Sequence, residues 1–548
     1  MRIARRPSLL VLIGGFLAAL VAAAVTRAAD DTTKPADAAA EVDALLARFQ
    51  SGGASEKRIV AVRLKNLPPE NAAAVEKAAA REDLAADCLA AVRAALPMVK
   101  GRARVAARAQ ADRQENERLA LVAYDAAGKK NAKWDAAVRE GIRLANTPAR
   151  DDAKVAATLK KAVDAGCDDP FARYLLAAAE AGPPVGTPAS SAGAASGAEA
   201  GARNAAFDRF RQAALDLAKS NYPAHIKVRA AAGYYDATKR ADAEMATVCQ
   251  QNLAAAVAGP ERGWRWAYEL ADLSFNAVAE VRGMDDALQQ LVPVYEEARP
   301  ADDPGPRLLT GIRSIDFAWE ARGNGLANTV TREGWKLFRE RLAVARRALT
   351  AAFERDPDDA RAPMYMITVC MGEGSARPEM EKWFKRTMAA SPDAMNACRR
   401  KLSYLYPRWH GSNEEMLAFG RECAATGNWW GPLPEILIEA YEEIAKFSTG
   451  DAKALYRDPA TWRDMNSVYG AFLEVYPDSP RAPRYRNLLA KWACHCEQWK
   501  EAAKLFAEIG DNRDETVFRS KAVYDYWRRK AAKKTAPPPN PQARAPMN

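Results

Sequence analysis

Histidine is almost missing from this chain: His225, His410 and His495 are the three in 548 residues. No two of them stand at metal-ligand spacing, which excludes a zinc hydrolase of the HExxH kind. A Walker A loop and a nucleophile elbow are also missing. Gly372-Glu373-Gly374-Ser375 is glycine-rich but follows no strand pattern, so it reads as a turn between helices rather than a phosphate loop. Runs of Val, Ile and Thr with period two are scarce, while Ala, Leu, Arg, Lys and Glu abound, and together these predict an all-α fold. After Val25 no segment is apolar for long enough to span a membrane. No cofactor and no metal ion is expected.

Acidic residues are absent from both ends, and this locates the net charge of +10. Arg2, Arg5, Arg6 and Arg27 lie at the start; Arg528, Arg529, Lys530, Lys533, Lys534 and Arg544 lie at the end. These cations account for the whole excess and leave residues 29–527 neutral. A neutral body carries no footprint for a polyanion, so nucleic acid is not an expected partner. The basic start, the apolar run Leu9–Val25 and the small residues around Thr26-Arg27-Ala28 predict an export signal over residues 1–28. The run is long for a signal core and short for a membrane span, so the segment is either cleaved or kept as an N-terminal anchor. The expected location is the periplasm or the extracellular side. The cysteines (Cys88, Cys167, Cys249, Cys370, Cys398, Cys423, Cys494 and Cys496) are even in number, which permits disulfides in an oxidising compartment without specifying their pairing. Several can equally serve as small apolar core residues.

A chain of this length exceeds one hydrophobic core and implies several sub-domains or one elongated array. Its centre is Ser314–Pro357: a short helix carrying Trp319, a Gly/Asn turn, and a long amphipathic helix. In that second helix Trp335, Phe338, Leu342, Ala345, Leu349, Ala352 and Phe353 share one face at steps of three and four. Ala345, Leu349, Ala352 and Pro357 stand at offsets used by tetratricopeptide-type repeats. One such helix cannot bury its stripe alone and needs stacked neighbours. An apolar residue precedes a proline by eight at Leu215/Pro223, Leu349/Pro357, Phe384/Pro392 and Tyr469/Pro477. A last unit takes in Leu489, Ala490, Trp499, Ala502 and Phe506, closed by Gly510.

The expected fold is therefore an all-α, right-handed superhelix of stacked antiparallel helix pairs, with degenerate tetratricopeptide-like repeats over 204–512. Residues 29–180 form an N-terminal helical region, HEAT-like or tetratricopeptide-like, built on Ile59, Val62, Leu64 and Leu67, then Leu84, Leu89, Val92 and Leu96. Within it, a helix ends at Gly128-Lys129-Lys130 and another begins near Trp134. Residues 181–203, rich in Gly, Pro, Ser and Ala, read as a linker and the main boundary. The basic tail 528–548, with Pro537-Pro538-Pro539, reads as disordered.

The motifs AWEARGNG (Ala318–Gly325), GWKLFRERLAVARRAL (Gly334–Leu349) and LYPRWHGS (Leu405–Ser412) resemble those of the bacterial domain-of-unknown-function family 4034, across about Arg313 to Phe447. The resemblance implies a tetratricopeptide-like helical domain in a bacterial protein and implies no activity.

The candidate site residues are Asp316, Trp319, Glu320 and Arg322 on one helix, and Arg408, Trp409 and His410 in a Pro/Gly-bracketed turn. Asp316 and Glu320, one turn apart, can pair with Arg322 or with a ligand. Ser412, with Glu415 three residues on, suits a capping box, which by itself accounts for the turn. Cys494-His495-Cys496 resembles a ligand cluster, yet residues two apart on a helix point in nearly opposite directions. Glu435, Glu439 and Glu442 read as a solvated helix face. The expected function is an exported scaffold that binds a protein or peptide and catalyses nothing, with a membrane touched only through an uncleaved leader. The alternative is an envelope glycan-binding or glycan-active protein, which fails if Trp319, Trp409, Trp429 and Trp430 are all buried and gains weight if two of them line one cleft beside Asp316 or Glu320.

Overall fold

Phe338, Leu342, Ala345, Leu349 and Ala352 are all buried along the helix Arg332–Arg355, as the spacing predicts. Trp335 and Phe353 flank the stripe half-buried, and Lys336, Arg339, Glu340, Arg347 and Glu354 face solvent. Thr331 caps the helix by accepting from the Gly334 N–H, and Asp356 ends it just before Pro357. The stripe is covered by the preceding helix, Pro304–Arg322, whose Gly311 meets Leu349 and whose Trp319 meets Phe338, so the two run antiparallel. Each leucine so buried contributes about 1.5–3 kcal/mol. Gly311 permits the approach: a Cβ there would stand 2.6 Å from Leu349 Cγ.

The computed structural model describes residues 38–148, 150–185, 197–259, 262–448 and 452–536. Among them there is no strand, and helices pack against their neighbours along the chain, so the fold is all-α with paired helices. The expected leader lies outside the described residues. The chain forms two compact units. One holds Arg104–Ser391; the other joins the described residues up to Ala103 to those from Pro392 onward.

In the first unit the pairs run from Asp135–Ala145 to Arg377–Ala390. The residues from Arg104 on in the helix Ala86–Ala127 pass successive pairs in reverse chain order. Arg104 donates to the Ala389 carbonyl (3.0 Å), Arg108 to the Asp358 carbonyl (2.5 Å), and Asn116 accepts from Arg229 (2.6 Å). Past the end of this helix, the Lys129 N–H donates to Asp169, the cap of Pro170–Glu180 (2.9 Å). These partners come from successive parts of the array, so the segment acts as a spine across it.

The second unit is built from two distant parts of the chain. Asn66 donates to the Gly427 carbonyl (2.7 Å) and accepts from the N–H groups of Trp429 (2.6 Å) and Trp430 (2.9 Å). Arg63 donates to the Val475 carbonyl (2.8 Å). Trp429, Leu437, Tyr441, Phe472, Tyr485 and Phe506 share its larger core, and Val60, Leu64, Val75 and Val92 a smaller one.

Several expectations are corrected. Both described flanks of 181–203 belong to the first unit, so no division falls there. The helix Gly197–Ala218 begins inside that segment because its alanines favour helix, and it is anchored by buried Phe207 and Phe210. Residues 186–196 lie outside the described residues. The region 29–180 is divided between the units at Ala103/Arg104. The tail is helical through Thr535, since Ser520 caps Lys521–Thr535 and Tyr524 and Ala531 are buried; residues 537–548 lie outside the described residues. The helix carrying Trp319 is not short: Asp303 caps it and Pro304 opens it. Pro357, Pro392 and Pro477 each follow a helix end, but Pro223 starts one, and in the Arg377–Ala390 helix the buried aromatic is Trp383, with Phe384 half-buried.

Candidate functional site

In the first unit Asp316 belongs to a buried ion cluster. The Arg313 guanidinium is buried and donates to Asp272 (2.5 Å) and to Asp316 (3.1 Å). Burial disfavours its charge, but the two carboxylates outweigh burial and hold its pKa above the usual arginine value. Trp319 meets Phe338 edge-on at 5.0 Å. The Arg322 guanidinium stands over Trp319 (5.4 Å) and Trp335 (5.5 Å) and donates to the carbonyls of Gly323 and Gly325 (3.1 Å each). Its role there is to staple the turn that joins the two helices, and burial lowers its pKa. Glu320 faces solvent. These four residues share a helix, with Asp316 held by Arg313 and with Trp319 and Arg322 packed together.

A row that local spacing did not nominate lies next to Asp316. On Trp264–Arg282, the residues Arg265, Tyr268, Glu269 and Asp272 fall at helical steps on a helix whose other faces are buried. Arg265 pairs with Asp356 (2.5 Å) and Asp359 (3.2 Å), and Arg361 grips Asp359 through two bonds of 2.9 Å. Burial works against the Asp359 charge, but Arg361 and Arg265 outweigh it and keep the carboxyl below its usual range. Glu269 behaves oppositely. Burial pushes its pKa up, and Arg229 and Arg361 offset this only in part. Its side chain is nonetheless exposed, next to the half-buried Arg265 and Asp272 on the same helix. Asp112, on the spine, is likewise raised by burial, with Arg265 and Arg361 opposing. The row therefore spans Ala224–Thr238, Trp264–Arg282, Pro304–Arg322 and Arg361–Glu373 with charges of both signs. The signal that could have found it is a set of charges at i, i+4 and i+7 inside an otherwise largely buried helix.

Arg408, Trp409 and His410 lie in the second unit. Ser412 accepts from the Glu415 N–H (3.2 Å), which bears out the helix cap. Arg408 pairs with Glu443 (2.7 Å) and stands over Tyr406 (4.3 Å) and over Phe447 (4.4 Å), which is 55% exposed. The His410 ring packs on Tyr404 at 4.7 Å and near Trp409 at 6.3 Å. The turn thus holds together as a cationic and aromatic surface feature. The acidic stripe is only partly solvated: Glu439 pairs with Arg399 (2.6 Å) and Glu435 accepts from Tyr485, while Glu442 is exposed.

Of the four candidate tryptophans, Trp429 is buried and Trp430 lies under Arg102 at 5.2 Å. Trp319 is engaged by Phe338 and Arg322 in the first unit, whereas Trp409, half-buried, belongs with Trp429 and Trp430 to the second, so the four do not belong to one unit. Cys494 and Cys496 are buried, and burial pushes both thiols up to about 12, so neither is a thiolate at neutral pH. His495 sits among Tyr456, Trp492 and Trp527. Among the described residues no group of His, Cys, Asp and Glu is arranged to hold a metal ion, and no helix is long and apolar enough to cross a membrane. Two surface depressions of about 280 and 380 Å³ beside Asp168 and Pro170 hold none of the nominated residues. No protein-family model matches the chain and no curated protein matches it, so the resemblance over Arg313–Phe447 rests on its own motifs.

Proposed function

We propose that this chain is an exported helical-repeat scaffold that binds a protein or peptide in the cell envelope and performs no chemistry. The supporting observation is the charged row of the first unit. It runs over four helices, carries both signs, and leaves Glu269 exposed. Such a row suits an extended polypeptide, whose side chains alternate and whose charges are met one helix at a time. A small-molecule catalyst needs a few groups converging on one reacting atom, whereas here most of the arginines and carboxylates neutralise one another. The test is affinity capture by the full-length chain from an envelope fraction, with cross-linking, beside Glu269→Lys. One partner enriched by the wild type and lost with the reversed charge supports the reading. Repeated capture without a partner, or turnover of an envelope glycan by the purified chain, overturns it.

A further inference from the structure

The helices Met395–Tyr404 and Asn413–Thr426 follow one another in the second unit, joined by residues 405–412, and pack against each other as consecutive helices, so they run antiparallel. Their register is fixed by one contact: Lys401 Nζ stands 4.3 Å from the centroid of the Phe419 ring. One turn before Lys401 is Cys398, and one turn after Phe419 is Cys423. In an antiparallel pair these steps lead in the same direction, so the two cysteines arrive at the same level. Both are buried, 1% and 4% exposed, and both thiols are free. A thiol–thiol hydrogen bond from Cys398, followed by burial, raises the pKa of Cys423, which agrees with the side chains facing each other.

We propose that Cys398 and Cys423 are a disulfide-forming pair that closes when the chain folds in an oxidising compartment. The compartment rests on the export reading; the pairing does not. The step is thiol–disulfide exchange with a disulfide-bearing oxidant such as oxidised glutathione or a thiol oxidoreductase. One cysteine thiolate attacks the donor and forms a mixed disulfide, releasing the first donor thiol. The second cysteine then displaces the other donor sulfur. Two protein thiols lose two electrons and two protons, and the donor disulfide takes them up as two thiols. Because both side chains are shut away in the folded hairpin, exchange precedes its final closure.

The test uses the full chain, unfolded and refolded in a glutathione redox buffer, then treated with a thiol-blocking reagent under denaturing conditions and digested. The expected product is one linked peptide pair containing Cys398 and Cys423, with the remaining cysteines blocked and the chain lighter by two hydrogens. Its thermal midpoint rises by roughly 5 °C over the reduced form. Cys398→Ser and Cys423→Ser each lose the link and leave the surviving cysteine blocked. A refolded chain with every cysteine blocked, or one with a different link, overturns the pair. A link on refolding with none in chain isolated from cells upholds the pair and overturns export.

Discussion

At the scale of single residues, Arg102 shows how a charge is made tolerable inside the second unit. Its side chain is 1% exposed, and all five N–H groups are used. Nε and one Nη2 bond reach Asp393 (2.9 Å each), the other Nη2 bond reaches Asn428 (3.0 Å), and Nη1 serves the carbonyls of Lys65 (2.5 Å) and Leu67 (3.1 Å). Arg102→Ala removes five hydrogen bonds and leaves the Asp393 carboxylate partly buried without its cation, and the expected cost is about 3–5 kcal/mol in urea unfolding. Arg102→Lys recovers only a small part, because an ammonium has three donors and no fork. His225 is the converse case, a buried ring whose nitrogens have no hydrogen-bond partner in good geometry. Burial first, then Arg262 and Arg229, lower its pKa to about 4. The unfolded chain therefore binds the proton more readily, so this contribution to stability is fully present above about pH 6.5 and is lost as pH falls toward 4. His225→Phe should reduce the slope of stability against pH in that window by about 1 kcal/mol per pH unit. An unchanged slope would mean that the ring is already charged in the fold.

At the scale of elements, the pair Pro304–Arg322 and Arg332–Arg355 depends on the absent side chain of Gly311. Gly311→Ala drives a Cβ toward Leu349 and is expected to cost about 1–3 kcal/mol. Leu349→Ala alone costs about 2–5 kcal/mol by leaving a cavity. The double variant should cost less than the two singles together, because the new methyl enters the vacated space; additive losses in urea unfolding would deny the contact. The second helix of this pair was legible from sequence because its apolar side chains repeat at 3.6 residues, a signal carried by contiguous positions. The helix Ala86–Ala127 was not. Pro97 and Gly101 lie inside it and read locally as breakers, yet Gly101 is there because a Cβ would stand 2.7 Å from Pro392 Cδ. That requirement comes from a residue far along the chain, as do the partners of Arg102. The same limit hid most of the charged row: Asp316 was nominated for its spacing, but its partner Arg313 and their shared neighbour Asp272 meet only once separate helices are packed.

At the scale of the whole molecule, the division into two units predicts where a defect is felt. Arg102, Asp393 and Asn428 all belong to the second unit, while the cluster of Arg265, Arg313, Asp359 and Arg361 belongs wholly to the first. Cores with separate polar networks open with separate free energies, and amide exchange reads those energies region by region. In Arg102→Ala, peptides from Met395–Tyr404 and Asn413–Thr426 should exchange roughly a hundredfold faster or more, the factor that corresponds to about 3 kcal/mol. Peptides from Trp264–Arg282 and Arg361–Glu373 should keep wild-type protection. The helix Ala86–Ala127 makes the test stringent, because it contributes residues to both units. If loss of Arg102 unravels this helix beyond Ala103, the spine goes with it and Trp264–Arg282 loses protection in step. Equal acceleration in all four helices would therefore show one cooperative body, and acceleration confined to the second unit would show that the array folds as two.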